Sequence, residues 1–160
     1  MPALLYPKTH PTGLRAWVYP DQAIIRGVYM FWLKHGDKER SVPALLGLTP
    51  EEKDVTGLDK FLKPGGRWFS ETDLLQCMLS QELAGHLNVS VMDIVTINGL
   101  SFTVIGLFDG TLWDSMLDLD GNAVTPVDLA TGVGYASRLI PIIPYKTAVS
   151  LFTKVYTPSI

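Results

Sequence analysis

Residues 89–110 read VSVMDIVTINGLSFTVIGLFDG, two apolar runs rich in β-branched residues with Asn98-Gly99 between them. Asn and Gly both tolerate positive φ, which the central residues of a type I′ turn require, so the pair predicts a tight hairpin. Its strands fall at about 93–98 and about 101–108. Immediately upstream, Ser80 is a candidate N-cap for a helix over QELAGHL, 81–87. The run LLQCMLS, 74–80, reads two ways. It either continues a helix with Leu74, Met78 and Leu83 on one face, or forms a short buried strand. Before it, RWFSETD places Ser70 three residues ahead of Asp73, a start resembling a capping box.

Farther out, LRAWVYP (14–20) and AIIRGVYMFWLK (23–34) are rich in aromatic and branched residues and read as strands. The second alternates through Ile25, Gly27, Tyr29 and Phe31, with a bulge expected at Gly27. HGDKER (35–40) reads as a turn and SVPALLGL (41–48) as a strand, Pro43 marking an edge or a strand start. In TPEEKDVTGLDKFL (49–62), Thr49 as N-cap, Pro50 at the first helical position and Glu51 and Glu52 in the first turn predict a short helix broken near Gly57. KPGG (63–66) is a turn, and residues 1–13, with prolines at 2, 7 and 11, are an irregular lead-in. Residues 109–138 read as a long loop or small excursion, RLIPIIPY (138–145) as a strand and KTAVSLF (146–152) as a short helix or turn.

Composition narrows the function classes. The 160 residues are 47% hydrophobic, enough for one ordinary domain or two small lobes sharing a core. Residues 1–65 carry nine Lys/Arg and seven Asp/Glu, whereas residues 66–160 carry four and nine. No Lys or Arg lies between Arg67 and Arg138, so this part presents an acidic surface and argues against nucleic acid. The single cysteine, Cys77, excludes an internal disulfide, and its apolar neighbours mark a buried, inert thiol. The opening MPALLYPKTHP lacks the basic start and apolar core of a signal peptide. No stretch reaches the roughly 18 apolar residues of a membrane span, so the chain as it stands reads as soluble.

PGGRWFSETD at 64–73, followed by SQELAGHLNVSVMDIVTINGLSFTVIGLF at 80–108, resembles the periplasmic core domain of MacB-type ABC transporter permeases, with their LolC/LolE-like and FtsX-like relatives. The matching residues are Gly66, Arg67, Trp68, Phe69, Ser70, Glu71 and Asp73, then Ala84, Leu87, Asp93 and Val95. Asn98, Gly99, Phe102, Val104 and Gly106 complete the hairpin, and IPIIPYKTAVSL at 140–151 resembles a later strand-to-helix step. The likeness covers about residues 45–108 well and 138–152 loosely, and its evidence is order and spacing. Met92 departs from it, standing where the family often has Gly. The resemblance implies an α+β fold with a mixed or antiparallel sheet and few short helices, the hairpin as a central pair and 74–79 as strand. It also implies one extracytoplasmic domain over 1–160, in one or two lobes, excised from a longer membrane protein with Met1 an added start. The partners implied are a protein or cargo on the extracytoplasmic side, a cytoplasmic ATPase and a paired copy, with no cofactor and no catalysis.

Motifs for chemistry are sparse. His10, His35 and His86 are scattered without metal spacing, and neither a nucleophile elbow nor a P-loop occurs. The lone G-x-G in ATGVGYAS (130–137) reads as a loop. DLDGNAVTPVD (118–128) fails as an EF-hand because Met116 and Val127 occupy positions that need oxygen ligands. Asp114, Asp118, Asp120 and Asp128 remain candidates for a looser cation site, against a plain solvated acidic turn. Arg67 is expected to pair with a carboxylate and lie over an aromatic face. Leu112, Trp113 and Met116 form the candidate apolar contact patch. The rival readings are a free-standing small-ligand or peptide-binding β-rich module and an enzyme with a dispersed active site.

Overall fold

The computed structural model describes residues 14–20, 30–115 and 124–158. Its strands are β1 Arg15–Val18, β2 Phe31–His35, β3 Lys38–Val42, β4 Leu45–Leu48, β5 Gln76–Ser80, β6 Ile94–Ile97, β7 Leu100–Phe108, β8 Ile142–Pro144 and β9 Val155–Tyr156. The helices are α1 Glu52–Thr56, α2 Gln81–Leu87, α3 Gly110–Asp114 and α4 Tyr145–Leu151, with 3-10 turns at Leu58–Phe61 and Ser137–Leu139. Among the described residues all strands join one mixed sheet in the order β3-β2-β6-β7-β5-β8-β4-β1-β9. The pairs β5–β7 and β4–β8 are parallel and the others antiparallel. This is the α+β architecture expected from the sequence.

The opening hairpin forms as predicted. Asn98 and Gly99 sit at φ 48° and 89°, the left-handed pair of a type I′ turn. Asn98 also anchors the turn sideways, because its Oδ1 accepts from the Trp32 amide at 2.7 Å while its own N–H donates to the Trp32 carbonyl at 3.0 Å. Ser80 caps α2 through a 3.0 Å bond from the Leu83 amide, and Asn88 closes that helix in the left-handed region. The ambiguous 74–80 run is strand from Gln76 onward, with Cys77, Met78 and Leu79 buried on both faces.

Elsewhere the boundaries move for identifiable reasons. The turn read over 35–40 contracts to Gly36-Asp37, with Gly36 at φ 62°, so Lys38, Glu39 and Arg40 belong to β3. The strand read over 41–48 is two strands, because Pro43 lacks an N–H and cannot extend the ladder. β3 lies at one edge and β4 lies beyond the sheet centre. Helix α1 starts at Glu52 without a side-chain cap, and Thr49 Oγ1 instead accepts from the Leu14 amide. Glu52 is fully buried and holds the Arg15 guanidinium with two bonds of 2.9 and 3.1 Å. Asp73 does accept from the Ser70 amide at 2.8 Å, yet a turn and β5 follow rather than a helix. The strand read over 138–145 is reduced to β8, and the 109–138 excursion contains α3, N-capped by Asp109. The bulge expected at Gly27 lies outside the described residues.

Two cores cover the faces of the sheet. The first gathers Phe31, Leu33, Cys77, Leu79, Val95, Phe102 and Val104 under α2 and α4, and the second gathers Leu46, Leu48, Met78, Ile105, Phe108, Trp113 and Ile142. β7 serves both cores because of a bulge: where β5 advances from Cys77 to Met78, β7 advances from Val104 to Gly106. The extra residue inverts the alternation, so Phe102 faces the first core and Phe108 the second.

Met92 has φ 80° and is 70% exposed. A left-handed conformation costs a non-glycine residue about 1–2 kcal/mol, and little packing offsets it here. Met92→Gly is expected to raise the unfolding free energy by up to about 1 kcal/mol, whereas Met92→Ala leaves it unchanged. Denaturant titration of the three chains checks this; equal effects of Gly and Ala would contradict it.

Candidate functional site

The residues singled out by sequence separate into frame and surface. Arg67 forms a bidentate pair with Asp73 at 2.8 and 2.9 Å and also donates to the Trp68 carbonyl at 3.1 Å. The guanidinium holds the Asp73 carboxyl below the usual carboxylate range, with help from the Ser70 amide and against burial. The expected stacking of Arg67 on an aromatic face is not part of this arrangement; among the described residues the cation over a ring is Lys60 on Phe61. The pair fixes the 66–73 segment, which carries Phe69 into the second core.

Gly66 and Gly106 meet back to back. A Cβ on Gly66 would stand 2.8 Å from the Gly106 Cα, and a Cβ on Gly106 would stand 3.0 Å from Leu62 and 3.3 Å from the Arg67 carbonyl. This contact lets the 61–67 segment run along the half of β7 that β6 leaves free. Lys63 N–H donates to the Leu107 carbonyl at 2.8 Å and Arg67 N–H to the Ile105 carbonyl at 3.0 Å. Both glycines are therefore requirements of close backbone approach.

The contact patch expected at Leu112, Trp113 and Met116 divides. Trp113 is 1% exposed, and its ring lies 4.6 Å from that of Phe108 and 6.5 Å from that of Trp68. It is a core residue, because Gly110 at the start of α3 packs against the Ser137–Leu139 turn and turns the indole inward. Leu112, one residue earlier on the helix, is half exposed, and Met116 lies outside the described residues. Leu129 and Val133 are also exposed, on a small loop closed by the Val127↔Gly134 bridge. These two were missed because their segment lacks periodicity.

Of the candidate cation ligands, Asp118 and Asp120 lie outside the described residues. Asp114 accepts from the Ser137 amide at 2.9 Å and Asp128 from the Ala130 amide at 2.8 Å, so both carboxylates serve local turns. Among the described residues no three His, Cys, Asp or Glu side chains assemble as a metal site. Cys77 is fully buried and its thiol pKa is pushed up by desolvation. His35 Nδ1 stands 2.9 Å from the Leu87 carbonyl, while His86 Nδ1 faces Arg40 at 3.1 Å, so the histidines act separately. Tyr19 donates to the Val127 carbonyl at 2.7 Å, and burial pushes its pKa up to about 12. A hollow of about 400 Å³ lies between β3, α2 and the Ser137–Leu139 turn. A second, of about 280 Å³, lies beside Trp113, Thr125 and Tyr135.

The profile of the MacB-like periplasmic core domain matches residues 15–154, and the chain belongs to that family. The fold is similar to that of the periplasmic region of MacB from Actinobacillus actinomycetemcomitans, with a TM-score of 0.51 and 16% identity, covering 94% of this chain and 76% of that one. It is also similar to the extracellular domain of the noncanonic ABC-type transporter YknZ from Gram-positive bacteria, with a TM-score of 0.50 and 15% identity, covering 92% and 83%. No curated protein matches the chain. The family is one of transporter permease domains rather than enzymes, and no helix among the described residues is long and apolar enough to cross a membrane.

The division of the patch is measurable. Trp113→Ala is expected to cost about 3–5 kcal/mol, while Leu112→Ser on the same helix stays within about 0.5 kcal/mol of the parent. Thermal unfolding checks both, and comparable losses would contradict the burial assigned to Trp113.

Proposed function

We propose that this domain is the extracytoplasmic part of an ABC transporter permease, tethered to the cytoplasmic membrane, and that it relays ATP-driven movement to a partner or cargo without catalysing a reaction itself. Membership of the family carries the reading. One feature of the fold supports it. β1 and β9 pair antiparallel, Trp17 opposite Tyr156 and Val18 opposite Val155, so the chain enters β1 and leaves β9 at the same end of the sheet. The start of β1 and the end of β9 therefore lie side by side, the placement a domain hung between membrane spans needs. Force applied at this end reaches the rest of the sheet through paired strands and continuous packing, which favours displacement as a body. Cargo or partner contact is assigned to the exposed apolar side chains of the excursion, Leu112 foremost.

The test uses the permease with its ATPase in lipid vesicles. Cys77 is buried, so with cysteines outside this domain replaced, a Ser101→Cys substitution at the exposed Ser101 of β7 takes the spin label. Distances between labels on paired copies are expected to shift by several ångströms between nucleotide-free and ATP-bound states, while a Ser101–Ser150 double label within one copy stays fixed. An intradomain change with a constant distance between copies would contradict the relay. A gene lacking apolar spans beside this domain would favour the free-standing binding module instead.

A further inference from the structure

Among the described residues the edge of β3 is open in a defined way. Trp32 directs both its N–H and its C=O toward the β6 side, bonding Asn98. Alternate residues of β2 face opposite ways, so Phe31, Leu33 and His35 direct theirs toward β3, opposite Val42, Arg40 and Lys38. The N–H and C=O groups of Glu39 and Ser41 therefore point away from the sheet, and β3 has no second neighbour among the described residues. This edge borders the hollow of about 400 Å³ whose far wall is α2 and the Ser137–Leu139 turn.

The lining of that hollow is selective. Arg40, His86 and Arg138 line it together with two carboxylates, Glu39 and Glu82, so an incoming side chain meets cations at fixed positions. Leu139 adds a partly exposed apolar surface. Trp32 also contributes to the lining, and its shielded indole N–H has no acceptor. Paired backbone donors and acceptors two residues apart match an extended chain and little else. Charged Lys38, Glu39 and Arg40 discourage indiscriminate edge pairing, leaving a strand of complementary charge as the occupant that fits.

We infer that the β3 edge and the facing side of α2 form a groove for an extended segment of a partner protein, paired with Glu39 and Ser41 and carrying a carboxylate toward Arg40 and Arg138. This deepens the partner role proposed above, but it is read on the chain alone, so its failure leaves the permease reading standing.

The test titrates the isotope-labelled chain with capped heptapeptides of alternating Thr and Val whose central residue is Glu, Gln or Lys. The Glu peptide is expected to shift the Glu39 and Ser41 amides, slow their hydrogen exchange and bind about tenfold more tightly than the Lys peptide. Arg138→Glu reverses that order. Ser41→Pro removes an edge donor that bonds nothing within the sheet, so it preserves the spectrum and abolishes pairing. Should Ser41→Pro misfold, N-methylation of the Glu peptide along its pairing side supplies the same loss without altering the protein. The inference is overturned if no peptide shifts these amides, if the shifts fall elsewhere, or if charge reversal at Arg138 leaves the preference unchanged.

Discussion

β7 has to satisfy three neighbours with nine residues. On one side it pairs in parallel with β5 along most of its length. On the other, its first half pairs with β6, and its second half takes bonds from Lys63 and Arg67. The arrangement depends on the contact of Gly66 with Gly106, where any side chain would force two backbones apart. It depends equally on the bulge at Ile105–Gly106, which sends Phe102 into one core and Phe108 into the other. Sheet, segment and both cores are consequently linked at one strand.

That linkage bears on the weakest seam. β5 and β8 share a single registered pair, Met78 opposite Ile142, so main-chain bonding alone would leave the strands on either side free to flex against each other. Side chains close the gap. Met78, Leu46, Ile105 and Ile142 share one core, and Cys77, Leu79, Leu45 and Ile143 share the other. Ser80 Oγ adds a bond to the Arg138 carbonyl across the same region. Packing on both faces makes a thin ladder mechanically continuous.

Much of this was legible in the sequence, for local reasons. Asn98-Gly99, Ser80 and the 81–87 helix followed from backbone preferences that act within a few residues. The order of Gly66, Arg67, Phe69, Asn98, Gly99 and Gly106 carried the family resemblance, and in the fold they lie at a close backbone contact, an ion pair, a core and a tight turn. Features that depend on distant partners were not legible. Period-two reading places Phe108 beside Phe102, and only pairing with β5 reveals the bulge. Trp113 looked exposed because its neighbours are acidic and glycine-rich, yet Phe108 and Trp68 come from other parts of the chain to enclose it. Glu52 read as a helix-dipole residue, whereas its partner Arg15 lies 37 residues away. Reading 41–48 as one strand hides the β3 edge, which has no second neighbour among the described residues.

The account rests on the sheet opening as one body around β7. Native-state hydrogen exchange across a denaturant series measures this directly. The amides of Val104 on β7, Leu33 on β2 and Leu46 on β4 are expected to converge on one opening free energy, equal to that of global unfolding. If Leu46 and its neighbours on β8 and β1 instead exchange through a distinct, lower-energy opening while β7 stays protected, the seam at Met78 and Ile142 is a hinge, and the single-body account is wrong.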